Sequence, residues 1–222
     1  MSWRRVVQWV AAVAFVCTTL AHLWTQYRVD PVGIMATIAL PLPALMVWFA
    51  VSTRRWHRES VATLAGLAFS WLGDGLGAVD LRVKIAMFLV AQICYAVAFW
   101  PTFRRTWGPA GWWRVGLVAV PVAVMVAVVA PRAGSLAVPV VAYGLVIAVM
   151  ALCATSLGPL ATAGGLLFLV SDAMLGGQEF AGWYWKFQGL AIMATYLVAQ
   201  GCLARAVAVR SSSSSDDLPP SG

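Results

Sequence analysis

The sequence is short of charge. Only 10% of its 222 residues are Asp, Glu, Lys or Arg, and 62% are hydrophobic, where a soluble domain carries about 25% charged residues. That deficit excludes a water-soluble globular enzyme, a disordered scaffold and a nucleic-acid binder. Cysteine and histidine are scarce too. The four cysteines (Cys17, Cys94, Cys153 and Cys202) fall inside apolar runs without metal spacing, and read as packing residues. Two histidines, of which His57 sits in a charged loop, cannot build a three-histidine zinc site. Gly-x-Ser-x-Gly, His-Glu-x-x-His, Walker and Rossmann patterns do not occur. No metal and no cofactor is expected.

What the chain does have is long apolar runs. A membrane-spanning helix needs about 20 of them in a row, and polar punctuation divides the chain into eight: 6–26, 33–52, 60–79, 84–102, 113–130, 135–153, 159–177 and 183–208. None alternates as a barrel strand would. The expectation is an all-α polytopic membrane bundle of about eight transmembrane helices, forming one domain over 1–210. The Ser-rich stretch 211–222 reads as a disordered tail. The run after Arg4-Arg5 is too long for a signal core and reads as the first span.

The net charge of +7 is a matter of topology. Arg4, Arg5, Arg54, Arg55, Arg58, Arg104, Arg105, Arg114, Arg205 and Arg210 fall on the side of the termini, whereas Arg28, Arg82, Lys84, Arg132 and Lys186 fall on the other. Positive residues favour the cytoplasmic side, so both termini are expected to be cytoplasmic. Glu179 and Lys186, near the outer surface, read as snorkelling.

Against this background two carboxylates stand out, because an acid inside a span is expensive. Asp74 lies late in the third span and Asp172 late in the seventh. Both spans run outward, which places each acid about 20 Å from the inner end of its helix. Gln92 and Tyr95, Tyr143 and Gln188 come to a similar level from the fourth, sixth and eighth spans, with His22 and Gln26 from the first. Pro41 and Pro43 break the second span near this depth. Such a set suits general acid–base chemistry in a polar chamber facing the outer leaflet. Simpler roles stand beside it. Asp74 could end its helix at Gly75 or Gly77 and reach interfacial water. Gln92, Gln188 and Gln200 could be interhelical hydrogen-bonding groups.

The stretch Gly165-Leu166-Leu167-Phe168-Leu169-Val170-Ser171-Asp172-Ala173-Met174-Leu175, with Phe180 following, resembles the YhhN-like, or lysoplasmalogenase, family of integral membrane proteins. The resemblance continues in Tyr196-Leu197-Val198-Ala199-Gln200, in Gly73-Asp74, in Phe88-x-x-x-Gln92-x-x-Tyr95 and in Tyr143 and Met150, and covers roughly residues 35–205. Two positions depart from the family pattern: Leu40 precedes Pro41 where a lysine is expected, and Gln92 stands where a histidine is common. The resemblance implies hydrolysis of the vinyl-ether bond of a lysoplasmalogen drawn from the bilayer. Asp74 and Asp172 would be catalytic, and Gln92, Tyr95, Tyr143, Ser171, Gln188, Tyr196 and Gln200 would contact substrate or water. The Ala, Val, Arg and Trp richness points to a bacterial cytoplasmic membrane. Paired acids and a proline-broken span also suit a small proton-coupled transporter, or a lipid-binding protein without catalysis.

Overall fold

The computed structural model describes residues 2–108 and 111–213. Among them the chain forms only helices: α1 Trp3–Arg28, α2 Pro31–Thr37, α3 Pro41–Ser52, α4 Arg58–Leu76, α5 Leu81–Thr106, α6 Trp112–Val129, α7 Ala137–Ala154, α8 Pro159–Ala181 and α9 Gln188–Ser213. Seven helical stretches are long and apolar enough to cross a membrane, α2 and α3 together counting as one. The remaining helix, α4, carries Arg58, Glu59 and Asp74 and turns Ser60, Thr63, Ser70 and Asp74 into the protein. Its polar residues face other helices, so it needs less apolar surface than a span facing lipid. The layout is that of a polytopic helical bundle, with eight helical passes.

Several ends are dictated locally. Pro31, Pro41 and Pro159 occupy first positions, where the missing N–H costs nothing. Asp80 caps α5 by accepting from the Arg82 N–H at 2.7 Å. Gly182 closes α8 with φ of 69°, a left-handed turn for which glycine is suited. As a result α8 continues through Ala181 rather than ending at 177, and the last helix begins at Gln188 rather than 183. At its far end α9 runs through Ser213, into the stretch expected as a tail; residues 214–222 lie outside the described residues.

The second span breaks between α2 and α3 for a visible reason. Neither Pro41 nor Pro43 has an N–H, so the carbonyls of Thr37 and Ala39 lose their helical donors. Leu40 N–H serves Thr37 at 3.1 Å, and the Trp71 indole N–H of α4 serves Ala39 at 2.9 Å. The broken backbone is thus satisfied by a neighbouring helix, as it must be away from water.

One helix pair sets the geometry of the interior. A Cβ on Gly66 would come 2.7 Å from the Tyr95 ring, one on Gly73 would come 2.8 Å from Phe88, and one on Gly77 would come 2.5 Å from Lys84. Each step forward on α4 is matched by an equal step back on α5, which is antiparallel contact in strict register. Small residues on α4 admit large ones from α5, the usual way for membrane helices to approach closely. Phe49, Leu67, Tyr95, Phe99, Phe168 and Ile147 fill the centre and are fully buried. Trp9, Val13, Val16, Leu20 and Trp24 of α1 are left exposed, as a lipid-facing stripe is.

Arg4 donates to the carbonyls of Val51 and Thr53, and Arg210 pairs with Glu59 and donates to Thr102. The start of α1 and the last turn of α9 therefore lie at one end of the bundle. Asp74 and Asp172, late in α4 and α8, lie towards the other.

Candidate active site

The two aspartates each hold one phenol. Tyr196 of α9 donates its hydroxyl to Asp74 Oδ2 at 2.8 Å, and Tyr143 of α7 donates to Asp172 Oδ2. Asp74 is 5% exposed and Asp172 is half-buried. The charged groups that act on Asp74 electrostatically are Lys84 and Asp172.

They differ in what lies in front of them. Asp172 lines a cleft of about 570 Å³, counting the space at its mouth, between α5, α6, α7 and α8. Its walls are apolar (Ile85, Met125, Val129, Val140 and Phe180 among them), with Tyr143 beside Asp172. Lys84 and Glu179 also line it. Asp74 does not. Phe88 faces the cleft, and its ring packs edge-on against Tyr196 at 5.7 Å, so an aromatic wall stands between the cleft and the Asp74–Tyr196 pair. Phe168 packs edge-on against the other side of that assembly, 5.4 Å from Tyr196 and 6.4 Å from Phe88.

Behind Asp74 a polar thread runs through the core. The Tyr95 hydroxyl donates to Gln200 Oε1 at 2.6 Å, Gln200 also lies against Tyr196, and Ser70 lies against Tyr95. Gln92 is wholly buried beside the Tyr143 hydroxyl, yet neither of its amide atoms makes a hydrogen bond of good geometry. A buried, unsatisfied amide costs about 1–3 kcal/mol.

Two of the expected contact residues make hydrogen bonds within the scaffold. Ser171 donates to the Ile192 carbonyl at 3.0 Å, tying α8 to α9. Gln188 donates to the Met174 carbonyl at 3.2 Å and accepts from the Trp185 N–H at 3.4 Å, clipping the turn between the same helices. His22 is buried against Thr37 and Gln26, between α1 and α2 and away from the acids. Lys84, counted from the sequence among the outer-side cations, and Glu179, read as snorkelling, line the cleft. The signal for Glu179 lay in α8, which carries it one turn further in helix than the apolar run alone indicates. Among the described residues no three His, Cys, Asp or Glu gather where they could hold a metal ion.

A helical bundle of membrane-spanning length, with two phenol-bonded carboxylates and an apolar cleft lined by one of them, defines a polytopic membrane protein. The chain matches the YhhN family over residues 33–207 and belongs to it. The match takes in both aspartates, the two tyrosines bonded to them and every helix but α1, the start of α2 and the end of α9. Neither curated proteins nor solved structures give a significant match.

Proposed function

We propose that this protein is a membrane hydrolase that cleaves the vinyl-ether bond of a lysoplasmalogen, or a related lysolipid, through Asp74 and Asp172. The observation that carries the reading is the position of Asp172: a carboxyl group paired with a phenol, at the wall of an otherwise apolar cleft suited to an alkenyl chain. Family membership supports the same reaction class.

The chemistry follows from the bond. A vinyl ether is activated by protonation at the alkene carbon remote from oxygen, which leaves an oxocarbenium ion on the adjacent carbon. Asp172 in its acid form delivers that proton, since it is the acid that faces the cleft. Asp74, as a carboxylate accepting from Tyr196, supplies negative charge behind Phe88 and steadies the cation across a low-dielectric gap. Water then attacks the cationic carbon and gives its proton to the Asp172 carboxylate, regenerating the acid. The resulting hemiacetal breaks its bond to the glycerol oxygen, which takes up the hydroxyl proton. The products are a fatty aldehyde and a glycerophospho-base. Tyr143 and the unsatisfied amide of Gln92 orient the water.

The test is aldehyde release by the purified, detergent-solubilised protein from lysoplasmalogens with choline and ethanolamine head groups. Turnover that vanishes in Asp172→Asn and falls steeply in Asp74→Asn supports the reading. Turnover that survives in both variants refutes the mechanism, and a well-folded protein inert towards every head group refutes the activity.

A further inference from the structure

At the end of the bundle that carries the start of α1 and the last turn of α9, α5 closes on Trp100-Pro101-Thr102-Phe103-Arg104-Arg105, and Arg58 opens α4 beside it. Arg58, Trp100, Pro101, Arg104 and Arg105 line an open cleft of about 730 Å³, counting the solvent space at its mouth. It adjoins a shallow groove of about 460 Å³, its open face counted, formed by Ala96, Val97 and Trp100 with Arg58 and Pro101. Charge and grease are therefore arranged in sequence along one helix: guanidinium groups at the end, then an apolar channel pointing towards the middle of the bundle.

Charge decides what fits. None of Arg58, Arg104 and Arg105 makes a salt bridge or side-chain hydrogen bond among the described residues. The acid that follows Arg58, Glu59, is committed to Arg210 at 3.4 Å. Among the described residues no acid lines either cleft. A head group bearing an ammonium gains nothing here, while one with net negative charge meets three cations. Arginines that serve only to orient a membrane protein need no shared cleft and no groove behind it.

We propose that this cleft binds an anionic phospholipid. Arg58, Arg104 and Arg105 hold its phosphate, and the groove along Ala96, Val97 and Trp100 takes the first part of an acyl chain. The site stands apart from the one at Asp172: twenty residues of α5 separate Lys84 from Arg104, about 30 Å of helix.

The test is native mass spectrometry of the full chain in detergent, titrated with phosphatidylglycerol and with phosphatidylcholine of the same chains. Phosphatidylglycerol is expected to bind at least tenfold more tightly. Arg104→Gln/Arg105→Gln is expected to weaken it by about fivefold for each arginine neutralised. Arg104→Lys/Arg105→Lys is expected to retain most of the binding, which separates loss of charge from misfolding. Arg54→Gln/Arg55→Gln, at the same end but outside the cleft, is expected to leave it unchanged. Equal binding of the two lipids, an equal loss in the Arg54/Arg55 variant, or complete displacement by glycerol 3-phosphate would each overturn the proposal. The last result would mean a site for a free anion, not a lipid.

Discussion

The hydroxyl of Tyr196 lies 2.8 Å from Asp74 Oδ2, although 122 residues separate the two in the chain. Tyr143 stands to Asp172 in the same relation, across 29 residues. Each acid on the α4 and α8 helices thus meets a phenol from another helix, and Phe88 lies at the boundary between the two pairs.

The pairs make separable contributions. Tyr143→Phe removes the donor at the cleft and is expected to lower turnover by about 10²-fold, the usual effect of losing one positioned donor. Tyr196→Phe acts behind the Phe88 wall. It is expected to cost less in turnover and about 1 kcal/mol in stability. Aldehyde release and thermal unfolding in detergent, measured on both variants, check the ordering.

Phe88 has two jobs on one ring, facing the cleft and bracing Tyr196. Phe88→Ala opens the wall to Asp74 and removes the packing of a buried ring, a loss of about 3–5 kcal/mol in well-packed cores. Phe88→Leu keeps most of the volume. The expected result is strong destabilisation for the first, and for the second near-normal stability with lowered turnover. Thermal unfolding and initial rates together distinguish the two jobs.

The α4–α5 contact has no slack at Gly66. A methyl there meets the Tyr95 ring at 2.7 Å, and that ring is held between helices by its bond to Gln200. Gly66→Ala is expected to destabilise by about 1–3 kcal/mol, the cost of overpacking. Gly75→Ala, on the same helix with open space at its Cβ, is expected to be neutral or slightly stabilising. Thermal unfolding of the two glycine variants side by side checks the contrast.

The break in the second span yields a compensation test. Trp71→Phe removes the donor to the Ala39 carbonyl and is expected to cost about 1 kcal/mol. Pro43→Ala restores the helical N–H that this carbonyl lacks. The double variant is therefore expected to lose less than the sum of the two single losses, as read from thermal midpoints in a double-mutant cycle.

The parts of this architecture that follow from apolar run length are legible in the sequence: the helical passes and their order. Side-chain direction is not. Ser171 is adjacent to Asp172, but a helix turns about 100° per residue, so Ser171 faces the Ile192 carbonyl of α9 while Asp172 faces the cleft. Gln188 reads as a polar residue inside a span, yet it opens α9, because Gly182 ends α8 and the next residues form a turn. Phe88 as a partition between the two acids was beyond reach of the sequence, since it depends on which α4 glycines meet which α5 side chains.

The matched steps of α4 and α5 also determine where this chain tolerates a change in length. One residue inserted between Gly66 and Gly73 would turn everything after it by about 100°, carrying Asp74 away from Tyr196 and setting bulk against Phe88. The same residue inserted between Gly77 and Asp80 would fall in the connection and leave both faces of the pair in phase. Length can drift at that corner of the molecule, while the eleven residues from Gly66 to Leu76 are bound to a fixed count.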